Sequence, residues 1–252
     1  MGWVNGPWLG FDTETTGVSP QDDRIVTAAL VLRDATGMRQ RTWLIDPGVP
    51  IPQAAADVHG VTTELARERG QAPAQALEEL ATELAHFLAQ GVPVVAFNAS
   101  FDLTILEHEL VRHGLPGLVQ RLGRAVVPVI DPLVLDRAVD PYRKGKRRLG
   151  DLCDHYEVIT DADLHTAEVD VIATLGVLEA LAIRYPQVGE MALADLHAWQ
   201  QGEHARWAEG FNAWRASRGL PGPGADPSWP LGVGVDAPAA QPAASAVAPD
   251  PH

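Results

Sequence analysis

The chain is short of cysteine, of positive charge and of long apolar runs, and each shortage narrows what it can be. A single cysteine, Cys153, excludes an intramolecular disulfide and a multi-cysteine zinc site. No apolar run approaches the length of a membrane span, and Met1 to Asn5 carries no signal-peptide pattern, so a cytoplasmic protein with no membrane partner is expected. Lysine and arginine number 19 against 33 aspartates and glutamates, and the net charge of −14 argues against broad attraction to nucleic acid. It does not exclude a nucleic-acid enzyme, because carboxylates that hold cations also count as negative. Five of the basic residues crowd into one stretch: Arg143, Lys144, Lys146, Arg147 and Arg148. At 252 residues, 46% of them hydrophobic, there is material for one sizeable domain and an appendage.

The most informative stretch runs from Trp8 to Gly17, Trp-Leu-Gly-Phe-Asp-Thr-Glu-Thr-Thr-Gly. As a strand with a two-residue period, it turns Leu9, Phe11 and Thr13 to one face and Trp8, Gly10, Asp12 and Glu14 to the other. Two carboxylates on one face of an apolar strand repel each other and lose hydration. A cation or a proton must settle them.

After a polar turn, Arg24 to Arg33 reads as a buried strand and Arg39 to Ile45 as a third strand returning antiparallel. Pro47 to Pro52 reads as a loop, Thr62 or Thr63 caps a short helix, and Ala74 to Ala89 has a helical pattern. Pro93 to Asn98 reads as a strand, and Ser100 caps a helix from about Phe101 to His113, with Asp102 in its first turn. Ala125 to Asp131 is a further strand, Pro132 opens a helix to Val139, and another helix covers Leu149 to Tyr156. His165 to Tyr185 reads as a long buried helix with Asp170 among its apolar residues. A meander followed by alternating strands and helices predicts an α/β domain with a mixed central sheet, over residues 6–185. Residues 186–231 read as a helical C-terminal extension, folded as a hairpin, with Trp199, Trp207, Phe211 and Trp214 at helical spacing. That aromatic stripe is expected to dock the extension onto the domain. Residues 232–252, rich in alanine and proline, read as a disordered tail.

Asp12, Glu14, Asp102 and Asp170 form a set of carboxylates without cysteine, a hard-cation pattern that predicts Mg²⁺, with Mn²⁺ able to substitute. Two such ions ~4 Å apart activate water and stabilise the leaving oxygen in phosphodiester cleavage. His165 has the chemistry to take a proton from the attacking water. Five residues of regular helix would turn His165 about 140° from Asp170, so it is expected on a loop or first turn.

Phe11 to Gly17, His59-Gly60-Val61-Thr62, Ala96 to Asp102 and His165 to Asp170 follow, in order, the motifs of a known family. The chain resembles the DEDDh 3′–5′ exonucleases, the group that contains the ε proofreading subunit of bacterial DNA polymerase III. The resemblance covers about residues 8–185 and implies a ribonuclease H-like exonuclease fold. It implies that Asp12, Glu14, Asp102 and Asp170 hold two Mg²⁺ ions and that His165 is the general base. It also implies that Thr15, Thr16 and Gly17 touch the 3′-terminal nucleotide and that His59 lines its pocket. Phe97 stands where the family usually has histidine, and Val171 where alanine often follows the last aspartate. The implied activity is release of nucleoside 5′-monophosphates from a free 3′ end, of DNA rather than RNA. The alternatives are an ε-like subunit working with a DNA polymerase partner and a 3′–5′ exoribonuclease. Arg147 and Arg148, in the basic run, are expected to contact substrate phosphates.

Overall fold

The computed structural model describes residues 2–159 and 166–235. Three long strands, β1 (Trp8–Thr15), β2 (Ile25–Asp34) and β3 (Gly37–Leu44), form the expected antiparallel meander. Three helices follow: α1 (Gln53–His59), α2 (Thr63–Arg69) and α3 (Pro73–Ala89). The next elements are β4 (Val94–Val95), α4 (Ala99–Arg112), α5 (Leu118–Leu122), β5 (Val129–Ile130) and α6 (Pro132–Val139). Then come α7 (Leu149–Tyr156), α8 (Ala167–Arg184), α9 (Pro186–Gly189) and α10 (Leu193–Ser217). The sheet order is β3-β2-β1-β4-β5, with β4 and β5 parallel to β1. The mixed sheet thus has β1 at its centre.

The two faces of β1 divide the core. Leu9 and Phe11 pack with Leu77, Leu80 and Leu84 of α3 and Leu103 and Leu106 of α4. Trp8 packs on the opposite face with Val171, Leu175 and Leu178 of α8. Gly10 shares that second face, and a Cβ there would lie 2.3 Å from Val171 Cγ1. Its missing side chain lets α8 lie directly against β1. The α3 residues Leu77, Leu80, Ala81, Leu84 and Leu88 form one buried stripe, and Pro73 occupies the first turn, where no helical N–H partner is lost.

Several boundaries differ from expectation. β4 and β5 are each two residues long, and the helix after β4 begins at Ala99 rather than beyond Ser100. Asn98 takes a left-handed conformation (φ 62°), which ends the strand and starts α4 in one step. Pro47 to Pro52 is a loop, as expected, and the alanines after Pro52 form helix α1, for which no element was predicted; alanine is the strongest helix former. α8 starts at Ala167, so Asp170 lies in its first turn and not at mid-helix, a position the helix dipole favours for a carboxylate.

The extension is a single short turn of helix, α9, then the long helix α10 and a non-helical return, not a hairpin. α10 lies along the edge strand β5. Its His197 Nδ1 accepts the Val129 N–H (3.1 Å), while the Gln200 carboxamide accepts from the Asp131 N–H (2.7 Å) and donates to the Val129 carbonyl (3.2 Å). These side chains satisfy backbone groups that an open edge would leave to another strand. Trp229, on the return segment, is buried with the α3–α4 face of the core. Of the aromatic stripe, Trp199 packs with the α8 face. Trp207, Phe211 and Trp214 stack on each other with centroids 5.6 and 5.8 Å apart, and the Arg137 guanidinium lies 3.7 Å from the Trp207 ring. The alanine- and proline-rich tail lies outside the described residues from Asp236 onward. No helix among the described residues is long and apolar enough to cross a membrane.

Candidate active site

β1 carries Asp12 and Glu14 to the end of the sheet, and the first turn of α8 brings Asp170 over them. One carboxylate oxygen from each of the three lies within 4.8 Å of the others. Asp102, in the first turn of α4, approaches from the opposite face. Its Oδ1 accepts from both the N–H (3.1 Å) and the hydroxyl (2.7 Å) of Thr13, the residue between Asp12 and Glu14.

This crowding governs the protonation of the site. Burial, then the charges of Asp102, Glu14 and Asp170, hold the Asp12 carboxyl well above the usual carboxylate range. Glu14 is pushed up to about 8 by burial, then by Asp170 and Asp102. Burial also raises Asp102 to about 7, against the Thr13 hydrogen bonds that favour its ionised form. Like charges this close cannot all ionise without compensation. An all-oxygen donor set of this kind fits a hard divalent cation, which would release the protons and take their place.

Asp131 is an organising residue that sequence reasoning missed. Fully buried, it accepts from the N–H groups of Asn98 (3.1 Å), Ala99 (3.0 Å) and Leu133 (2.9 Å). It therefore caps α6 and holds the start of α4, three residues before Asp102. The Asp131-Pro132 pair is a legible helix start. The long-range half of its role has no local signature.

The structure divides the remaining expected residues. The Thr15 hydroxyl donates to the Gly17 carbonyl (2.6 Å). The Thr16 hydroxyl donates to Asp23 Oδ1 (2.8 Å) and accepts from the Arg24 N–H (3.0 Å). A Cβ on Gly17 would lie 2.5 Å from Asp23 Oδ2, so this loop closes tightly around Asp23. His59 is buried beside the Thr15 backbone, with Nδ1 accepting from the Val61 N–H (3.2 Å). Burial lowers its pKa, against the pull of the Thr15 backbone. His165 lies outside the described residues.

The basic run divides between the interior and the surface, contrary to the expectation for Arg147. Arg147 turns inward to the fully buried Asp136, which also accepts from Arg143 (3.0 Å) and the Tyr156 hydroxyl (2.9 Å). A buried carboxylate needs such partners, and it claims Arg147 for the interior. Lys144, Lys146 and Arg148 remain exposed.

A mixed five-stranded sheet with carboxylates converging from its central strand and two flanking helices defines a ribonuclease H-like nuclease fold. Structural comparison agrees. Exonuclease I of Methylocaldum szegediense superposes with a TM-score of 0.62 at 23% identity, over 81% of this chain and 46% of that one. E. coli exonuclease I in complex with a dA16 oligonucleotide gives a TM-score of 0.62 at 19% identity, over 79% and 44%. Residues 9–178 match the RNase_T exonuclease family, and the chain belongs to it. PolC-type DNA polymerase III from Streptococcus sanguinis is 33% identical over 66% of this chain and 10% of its own length. The Lacticaseibacillus paracasei protein of the same name is 30% identical over 71% and 11%. The chain thus spans about a tenth of these curated relatives.

Proposed function

We propose that this protein is a two-metal-ion 3′–5′ exonuclease that hydrolyses DNA from a free 3′ end and releases nucleoside 5′-monophosphates. The observation that carries this reading is the meeting of Asp12, Glu14 and Asp170 oxygens within 4.8 Å, with Asp102 tied to the same strand through Thr13. Asp12, Glu14, Asp102 and Asp170 would hold the ions, Mg²⁺ by preference and Mn²⁺ as a substitute. When bound, such ions lower the pKa of water and offset charge on the leaving oxygen. The protein supplies the rest. The Thr13 donors fix Asp102, and α8 lying against Gly10 fixes Asp170. His165 takes the proton of the attacking water, an assignment that rests on the family motif.

Thr15, Thr16 and the backbone at Gly17 are the groups of the β1 loop that would touch the terminal nucleotide, an assignment that rests on the family motif; both threonine hydroxyls are engaged within the loop, with the Gly17 carbonyl and with Asp23. The His59 ring, buried beside the Thr15 backbone, suits the pocket of the same nucleotide. The exposed Lys144, Lys146 and Arg148 suit phosphates further along the strand. The DNA oligonucleotide held by E. coli exonuclease I supports a DNA substrate, and the PolC-type relatives support work beside a polymerase in replication or repair. Incubation with end-labelled DNA and RNA oligonucleotides tests the reading. Metal-dependent shortening from the 3′ end of DNA, faster than of RNA, is expected. Equal or faster RNA cleavage would reassign the substrate.

A further inference from the structure

Asp102 reaches the site from the first turn of α4, the part of a helix whose N–H groups lack partners within the helix. A carboxylate from another element supplies them here. Asp131 Oδ1 accepts from the Asn98 N–H (3.1 Å) and Oδ2 from the Ala99 N–H (3.0 Å), where the left-handed Asn98 starts the helix. The Asn98 carbonyl in turn accepts the Phe101 N–H (2.9 Å), so the grip reaches the residue before Asp102. Thr13 restrains the carboxylate of Asp102, whereas Asp131 restrains the backbone that carries it.

Asp131 is itself held from α10, which lies wholly outside the segment that matches the family. Its N–H donates to Gln200 Oε1 (2.7 Å), and Nε2 of the same carboxamide donates to the Val129 and Leu196 carbonyls (3.2 Å each). Gln200 and Asp131 are both buried, so these bonds form in a low-dielectric interior. A second handle lies two helical turns further along. Trp207 packs on the Arg137 guanidinium (3.7 Å), and the charge of Arg137 favours the ionised form of Asp131. Residues seven apart share one face of a helix, so α10 meets the backbone of Asp131 and its counter-charge together.

We propose that Asp131 and Gln200 are positioning residues of the metal site: the seating of α10 fixes Asp131, Asp131 fixes the first turn of α4, and that turn aims Asp102 into the site. Closing the β5 edge is a role that Gln200 shares with His197, which accepts the Val129 N–H. The bond to Asp131 is what sets Gln200 apart. With α10 displaced, all four carboxylates remain in the chain, but the site holds its cation weakly. This inference rests on the metal site of the exonuclease reading above and adds control of that site from outside the family-matching segment.

Calorimetric titration of Mn²⁺ into the metal-free full chain reads the site without turnover. Asp131→Asn keeps the shape of the side chain but offers one acceptor oxygen in place of two. Gln200→Met keeps the length and removes the polar ends, and it decides the matter should Asp131→Asn fail to fold. His197→Ala is the matched control on the same helix and strand. Outer partners of metal ligands are worth about 10–100-fold in affinity, so Asp131→Asn should raise the Mn²⁺ Kd ~10-fold or more, Gln200→Met ~3-fold or more, and His197→Ala less than ~2-fold. On a DNA oligonucleotide, the Mg²⁺ needed for half-maximal rate should rise in the same order, while the rate at saturating Mg²⁺ changes less. Unchanged Mn²⁺ affinity in a folded Asp131→Asn or Gln200→Met overturns the proposal, as does an equal loss in His197→Ala. Absence of Mn²⁺ binding by the unaltered chain overturns the metal site and its positioning together. The predicted order of Mn²⁺ affinities in a chain that shortens no DNA supports the positioning and overturns the exonuclease reading alone.

Discussion

Gly10 and Val171 meet where β1 crosses α8, and that contact sets the position of Asp170, one residue before Val171. Gly10→Ala should cost ~1–3 kcal/mol, the usual range for overfilling a packed core, and should weaken metal binding by shifting α8. Val171→Ala in the same chain should recover part of both losses, a coupling that urea denaturation of the single and double variants measures. The carboxylates make a second prediction at this scale. Glu14 and Asp102 are raised to about 8 and about 7, above their values in an unfolded chain. The metal-free folded state therefore holds more protons than the unfolded state between about pH 4 and pH 8, and its stability must fall as pH rises through that window. A cation replaces those protons. The gain in Tm on adding Mg²⁺, relative to chelator, should grow from pH 5 to pH 8; a gain that is flat with pH would contradict the electrostatic account.

Elements are held to one another by buried polar side chains as much as by apolar contact. Asp136 of α6 gathers Arg143, Arg147 and the Tyr156 hydroxyl, fixing the basic loop against α7. Asp136→Ala leaves two partly buried guanidinium groups without their counter-charge and should destabilise by ~3–5 kcal/mol, read as a lower denaturation midpoint. Gln200→Ala should cost ~1–3 kcal/mol by leaving the Asp131 N–H and Val129 carbonyl unsatisfied. The same elements show what the sequence reveals and what it conceals. The meander, α3 and α6 were legible because hydrophobic period, turn residues and a proline at the helix start all agree locally. Asp12, Glu14, Asp102 and Asp170 were legible as costly carboxylates, and the structure brings three of them together with the fourth alongside. The fate of Arg147 was not legible, because an exposed and a buried arginine look alike until Asp136 is placed beside it. Asp131, His197 and Gln200 were hidden for the same reason: their partners lie on other elements, tens of residues away in the chain.

At the scale of the whole molecule, the extension completes the domain. α10 covers the β5 edge, and the return segment places Trp229 in the core. A chain ending at residue 185 should aggregate or lose cooperative unfolding, as checked by light scattering and thermal melts. Substrate binding offers another whole-molecule prediction. Alanine at Lys144, Lys146 and Arg148 together should flatten the dependence of log K on log salt by up to ~2, at ~0.7 per lost phosphate contact on a single strand. Arg147→Ala should instead act on stability through Asp136. The central claim is a carboxylate site that removes nucleotides from a 3′ end, and 3′- and 5′-labelled DNA oligonucleotides with Mg²⁺, Mn²⁺ or chelator test it most directly. The account predicts shortening from the 3′ end with either ion, none with chelator, and a loss of about 10³-fold or more in Asp12→Ala, the rate equivalent of ~4 kcal/mol. Shortening that persists in chelator or in Asp12→Ala, or its absence from the unaltered chain with both ions, would contradict it.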